Sequence, residues 1–293
     1  MWPTTLLALT CAVSSVGAQP APDVTGDTGM AALQARQTAL SAQLANNVFK
    51  RPLVLQSTDG DGTTSGDAYA VLDAPFSAVS TTFRNPGRWC EVLILHLNTK
   101  HCRADAASSP ARIAVHMGRK KPQELTEASV LEFNYRLAAS SPQYIAAQLN
   151  ADKGPAGTSA YRIELQAIPA GDGKTFIHLR YAYAYTAASR MAMQVYLNTL
   201  GSGKIGFTPA PGGKGYVTGM RGAIERNTMR YYLAIESYLK LPAPQQLNAR
   251  LERWFDATEQ YAEQLHEVDR ESYLAMKKLE LQRQQASSGG AGT

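Results

Sequence analysis

In several runs between residues 67 and 185 the apolar residues fall on every second position, and this pattern constrains the fold more than any other feature of the chain. Leu131, Phe133, Tyr135 and Leu137 alternate with Glu132, Asn134 and Arg136, and Tyr161, Ile163, Leu165 and Ala167 alternate with Arg162, Glu164 and Gln166. Over 175–185 the odd positions are Ile177, Leu179, Tyr181, Tyr183 and Tyr185, while the even ones include His178 and Arg180. A period of two places each set on one face of a strand. Runs at 68–72, 93–102, 112–117 and 144–149 bring the total to about six or seven strands by the same criterion. Turn signals at Lys121-Pro122, Ser141-Pro142, Lys153-Gly154-Pro155 and Gly171-Asp172-Gly173 separate them. Short connections between consecutive strands predict an antiparallel sheet with one wet and one dry face.

The period changes to that of a helix on either side. At residues 219–240, Ile224, Thr228, Tyr231, Ile235 and Tyr238 form a stripe at four-three spacing, so a long amphipathic helix follows the sheet. Its dry face and that of the sheet have no other evident partner and are expected to cover each other. A short helix is predicted from Pro75 to Phe83. A helix over 30–50 carries Leu33, Leu40, Leu44 and Val48, and Pro52 ends it. After Pro242 and Pro244, a long C-terminal helix over 245–285 presents Leu247, Leu251, Trp254, Thr258, Tyr261, Leu265 and Val268. That seam wants a helical partner. The N-terminal helix is the nearest candidate, and homodimerisation through the C-terminal helix is the rival reading.

The first 18 residues read as a signal peptide, with an apolar core at Leu6 to Val13 and small residues Val16-Gly17-Ala18 at the cleavage end, although no Lys or Arg precedes the core. Residues 19–29 read as a flexible tether and 286–293 as a disordered tail. Beyond the leader lie two cysteines, Cys90 and Cys102, in what is then an oxidising compartment. A disulfide between them is expected, and the localisation is periplasmic or secreted. The net charge is +5, but the basic residues are dispersed, which argues against nucleic-acid binding and is compatible with peripheral contact with an anionic membrane.

An opening strand and first helix at Ala70-Val71-Leu72-Asp73-Ala74-Pro75-Phe76-Ser77-Ala78-Val79, Trp89-Cys90 before the next strand, the aromatic strand ending Tyr181-Ala182-Tyr183-Ala184-Tyr185, and the helix around Ile224 to Tyr238 together resemble the START-like (SRPBCC, helix-grip) superfamily. The resemblance covers roughly 67–241, as in an exported bacterial-type member with added terminal helices. It implies an α+β fold in which a curved antiparallel sheet grips the long helix and leaves a cavity for a hydrophobic molecule or lipid. Residues 187–218, with a short helix near 191–197, depart from the pattern as an insertion. The expected cavity lining is Phe133, Tyr135, Tyr181, Tyr183 and Tyr185 from the sheet. Ile224, Thr228, Tyr231 and Ile235 face them from the helix. Arg221, Glu225 and Arg226, at the helix start, are candidates to hold a polar head group, against the alternative of a solvated ion-paired face with Asn227 and Arg230.

Other motifs carry less. Gly201-Ser202-Gly203-Lys204-Ile205-Gly206 matches G-x-G-x-x-G, but Pro209 and Pro211 follow where a nucleotide site needs a helix start, so it reads as a loop over the cavity mouth. His96, His101, His116, His178 and His266 lack metal-ligand spacing, and neither a metal nor a cofactor is expected. His178 and Glu164 are the one conceivable acid–base pair. The expectation is carriage of a hydrophobic ligand without chemistry. A cyclase- or hydrolase-like enzyme using the same cavity, or an interaction protein working through its C-terminal helix, are the alternatives.

Overall fold

The computed structural model describes residues 26–199 and 203–289. The expected signal peptide, residues 19–25 of the tether and residues 290–293 of the tail lie outside the described residues. Gly26 to Gly29 of the tether and residues 286–289 of the tail are helical.

Eight strands form one antiparallel sheet: β1 (Leu53–Gly60), β2 (Thr63–Leu72), β3 (Thr99–Asp105), β4 (Arg112–Met117), β5 (Ser129–Ser140), β6 (Ile145–Lys153), β7 (Thr158–Pro169) and β8 (Thr175–Tyr185). Their order is β1-β2-β8-β7-β6-β5-β4-β3, so the first hairpin returns to pair with the last strand. The register confirms the alternation: Ile113 faces Phe133, Tyr135 faces Leu149, Leu149 faces Ile163 and Ile163 faces Tyr181. Register shifts in β3, β5 and β7 break the ladder locally, as bulges that bend a sheet do.

β1 went unread in the sequence. Its hairpin turn is Asp61-Gly62, both at positive φ (53° and 75°), the pairing of residues that a two-residue turn between twisted strands demands. The stretch 93–102 is not one strand. Asn85 caps a helix by accepting the Gly87 N–H (2.8 Å), Pro86 occupies its first turn, and the helix runs Pro86–Leu93, leaving only Thr99 onward for β3. With Phe76–Phe83 before it, this gives two short helices, α3 (Phe76–Phe83) and α4 (Pro86–Leu93). Cys90 and Cys102 are joined, tying α4 to β3.

The N-terminal helix is two pieces, α1 (Gly26–Ala39) and α2 (Ser41–Ala45). It stops before 50 because the Asn47 amide donates to the Gln43 and Arg51 carbonyls (both 2.8 Å), replacing helical bonding. It does not partner the C-terminal helix. Leu33, Leu40 and Leu44 pack on Tyr69, Tyr144, Ala146, Ile168 and Phe176, on the sheet face opposite the main core. Tyr69 and Val71 of β2 and Phe176 of β8 make that face apolar enough to need a cover, so both faces are dry over part of the sheet.

On the main face lies α6 (Gly219–Lys240), reached through α5 (Ala187–Asn198) and a loop. The C-terminal segment is not one long helix: α7 (Leu247–Glu259), α8 (Ala262–Leu265) and α9 (Arg270–Gly289) are separated by turns. Asp269 caps the start of α9, accepting the Ser272 N–H (2.8 Å) and hydroxyl (2.7 Å), which fixes the break. The seam residues Leu251, Trp254 and Leu265 are buried, with α6 and α9 as the helices packed on α7, so the seam finds its partners inside the chain. The Trp254 indole N–H donates to the Arg230 carbonyl (3.1 Å), fastening α7 to α6.

The grip is tight at Gly66. A Cβ placed there would lie 2.2 Å from Thr228 Oγ1 and 3.1 Å from its Cβ, so only a residue without a side chain admits α6 this near β2. Gly66→Ala is expected to cost about 1–3 kcal/mol by urea unfolding, and adding Thr228→Ala to recover part of it, as contact between the two sites requires. Replacing both Cys90 and Cys102 by Ser is expected to cost about 3 kcal/mol, the closure term for a loop of this size, in the same measurement.

Candidate functional site

Thr228 and the Ile224 carbonyl lie against β2 at Gly66, while Ala223, Asn227 and Arg230, on another side of α6, border a gap that Tyr181 and Tyr183 of β8 also line. The gap is a chamber of about 210 Å³. Tyr181 and Tyr183 of β8 and Tyr231 of α6 supply its aromatic walls, and Met193 of α5 and Met117 of β4 narrow it. The rings brace one another: Tyr181 and Tyr231 meet edge to face at 5.2 Å, and Tyr183 stacks on Tyr161 at 5.1 Å. Burial raises the phenols of Tyr181, Tyr183 and Tyr231, so all three present neutral hydroxyls.

The other wall is cationic. Lys120, Lys204, Arg226 and Arg230 line the chamber, and no Asp or Glu is among the described residues that do. Glu267, in the turn between α8 and α9, closes the group from outside. Its carboxylate accepts from Lys120 and Lys204 and from Arg230 Nη2 (2.9 Å). Arg230 also donates to the Leu265 carbonyl (3.1 Å), and Arg226 donates to the Ile205 carbonyl (3.0 Å). Burial alone would raise the Glu267 carboxyl, but the charges of Arg230 and Lys120 overturn it and hold it at about 2. Burial, reinforced by Arg230, pulls Lys120 down to about 8.

His96 completes the lining, in the turn between α4 and β3. It is not on the strand expected over 93–102. Its ring lies 4.9 Å from that of Tyr231. Nδ1 accepts the Asn98 N–H (3.2 Å), which assigns the ring proton to Nε2. Burial, with Arg230 and Lys277 nearby, drives its pKa well down and keeps the ring neutral, and Asn227 opposes this weakly without closing a hydrogen bond to Nε2.

Of the expected lining, Tyr181, Tyr183 and Tyr231 reach the chamber and Arg226 joins them. The others do structural work. Tyr135 sits 3.0 Å from the carbonyls of both Phe83 and Arg84, anchoring α3, and burial pushes its phenol up to about 12. Tyr185 donates to Asp59 (2.7 Å), holding the end of β1. Phe133, Ile224 and Ile235 are core, and Thr228 returns its hydroxyl to the Ile224 carbonyl. Glu225 and Arg221 are not at a mouth. Glu225 is fully buried and accepts from the Phe207 and Thr208 N–H groups (2.6 and 3.0 Å), the Thr208 hydroxyl (2.7 Å) and Ser57, while Arg221 donates to Ser57 (2.8 Å). Together they clamp the loop before α6 to β1, so this end of α6 is not a solvated face. The loop is the one that bears the glycine motif, of which Gly201 and Ser202 lie outside the described residues. His178 bonds Asp67 (2.7 Å) on the opposite sheet face, while Glu164 stands across from Arg180, so the two form no pair. His96, Lys120, Lys204, Arg230 and Glu267 were not expected at the site.

A curved antiparallel sheet around one long helix, with helices added at both ends, is the α+β helix-grip arrangement. No protein-family model matches the chain, and no curated protein matches it in sequence. Among solved structures it is similar to truncated norcoclaurine synthase from Thalictrum flavum, at 12% identity and TM-score 0.34 over 50% of this chain and 92% of that one. It is also similar to Ara h 8.0201 (10%, 0.37, 61% and 99%) and to human StAR-related lipid transfer protein 5 (9%, 0.37, 72% and 97%). Likenesses of this extent carry nothing about ligand or chemistry, which rest on the chain's own residues.

The ordinary carboxyl value of Glu267 is 4.5 and its folded value about 2, so its stabilising contribution is complete above pH 4.5 and lost as pH falls through about 2. Glu267→Gln is expected to be less stable than the parent near neutral pH, with the gap in urea midpoint closing across that acid window.

Proposed function

We propose that this chain is an exported, non-catalytic binding or carrier protein for a small hydrophobic molecule, held in the chamber between β8 and α6. The observation that carries the reading is the chamber of about 210 Å³ walled by the rings of Tyr181, Tyr183 and Tyr231 beneath the gripped helix. Its size bounds the guest. Pockets that enclose drug-sized ligands begin at about 300 Å³, so the molecule is one or two rings, or the end of a longer chain whose remainder stays outside. Export is supported by the Cys90–Cys102 bond, a feature of oxidising compartments, and by the leader-like first 18 residues. No helix among the described residues is long and apolar enough to cross a membrane.

Ala223→Phe, on the helix wall, fills the chamber. Organic extraction of the purified parent protein is expected to yield a defined low-mass compound by mass spectrometry, and extraction of the variant to yield none at an unchanged urea midpoint. Identical extracts from the two proteins would sink the reading.

A further inference from the structure

We propose that the wall formed by Arg230 and His96 is a subsite for an oxyanion, a carboxylate or phosphate carried by the aromatic guest, which accepts the Nε–H of Arg230 and the Nε2–H of His96. The inference rests on the chamber being the ligand site and adds the charge of the ligand.

Buried polar atoms in a folded chain almost always have partners, because an unpaired one forfeits its hydration for nothing. Two that lack a partner among the described residues belong to side chains that line this chamber. Arg230 is 1% exposed, and Nη2 is engaged while Nε is not. His96 is 2% exposed, and Nδ1 is engaged while Nε2 is not. Both orphans are donors, so what fits between them must accept two hydrogen bonds.

Charge narrows the choice further. Three cationic side chains that line the chamber, Lys120, Lys204 and Arg230, share one carboxylate, that of Glu267, which approaches from outside. A water molecule would satisfy the donors and leave the excess positive charge in a partly dry site. An oxyanion satisfies the donors and offsets the charge, and charge-assisted bonds of this kind are about twice as strong as neutral ones. The tyrosine walls then receive a flat apolar body attached to that group. A cationic guest is disfavoured by the same three side chains.

The test uses three probes of the full chain by isothermal titration at fixed pH and salt: 1-naphthoate, 1-naphthamide and inorganic phosphate. Naphthoate is expected to bind about 10-fold or more tightly than naphthamide, the loss that accompanies an uncharged acceptor. His96→Phe and Arg230→Lys, which remove one orphan donor each and keep ring or charge, are expected to weaken naphthoate at least about 5-fold and naphthamide, whose acceptor is uncharged, by less. If Arg230→Lys does not fold, His96→Phe decides alone. Phosphate that competes with naphthoate at similar affinity supports the subsite and identifies a free anion as sufficient; phosphate that does not compete supports it with the aromatic body required. Equal affinities for the two naphthalenes, both abolished by Ala223→Phe, would overturn the oxyanion and leave the chamber standing. Binding of neither naphthalene, or binding indifferent to Ala223→Phe, overturns the chamber as well.

Discussion

The contact of Thr228 with the bare backbone of Gly66 sets the geometry of everything around it. With no side chain at Gly66, α6 lies directly on β2 along its Ile224–Thr228 edge. A cylinder touching a curved sheet along one edge must leave it along the next. The adjoining stripe, Ala223, Asn227 and Arg230, therefore stands off β8, and the chamber is the space between. Tyrosines suit that space because their rings are large enough to brace one another across it while their polar tips tolerate a wet opening.

Burying Arg230 at the edge of this space costs heavily unless its charge is met. Glu267 meets it, and the same carboxylate holds Lys120 and Lys204, which come from the β4–β5 connection and the loop before α6. One acid thus ties three separate stretches of chain at the chamber's rim. Because the three cations outnumber it, the rim keeps a positive field that a fully neutralised core would not have.

Much of the fold was legible because alternation is a local property. Leu131 to Leu137, Tyr161 to Ala167 and Ile177 to Tyr185 announce their faces without reference to anything distant, and the register bears them out. β1 was missed although Asp61-Gly62 is a strong hairpin signal, because Gln56, Ser57 and Thr58 dilute the apolar pattern before it. The length 93–102 was misread because Leu93, Ile94, Leu95 and Leu97 bury equally well in a helix end and a turn. Inward-facing aromatics could be named from parity, but which of them border a void depends on where α6 touches the sheet, and Gly66 gives no hint of that. Glu267 and Lys120 are 147 residues apart, and no spacing rule reaches across that distance.

The C-terminal helices are consequently part of the site and not an appendage to it. The turn that presents His96 is held from below by α9: the Tyr273 hydroxyl donates to the Leu95 carbonyl (2.8 Å), and Lys277 donates to the His96 and Thr99 carbonyls (both 2.7 Å). Lys277 and Lys100 share the buried carboxylate of Glu280, which lets two ammonium groups sit in the interior together. Burial still draws Lys277 down to about 8, the residual cost of placing it there. A chain does not bury two lysines for packing alone when leucine would serve with less desolvation. What the arrangement secures is direction, since a lysine with two carbonyl acceptors fixes the backbone of the turn, and the backbone fixes the imidazole. The same segment, through the turn before Asp269, delivers Glu267 to the opposite rim. The sheet and α6 make the chamber, and the residues after α6 supply the carboxylate at its rim and hold the turn that carries His96.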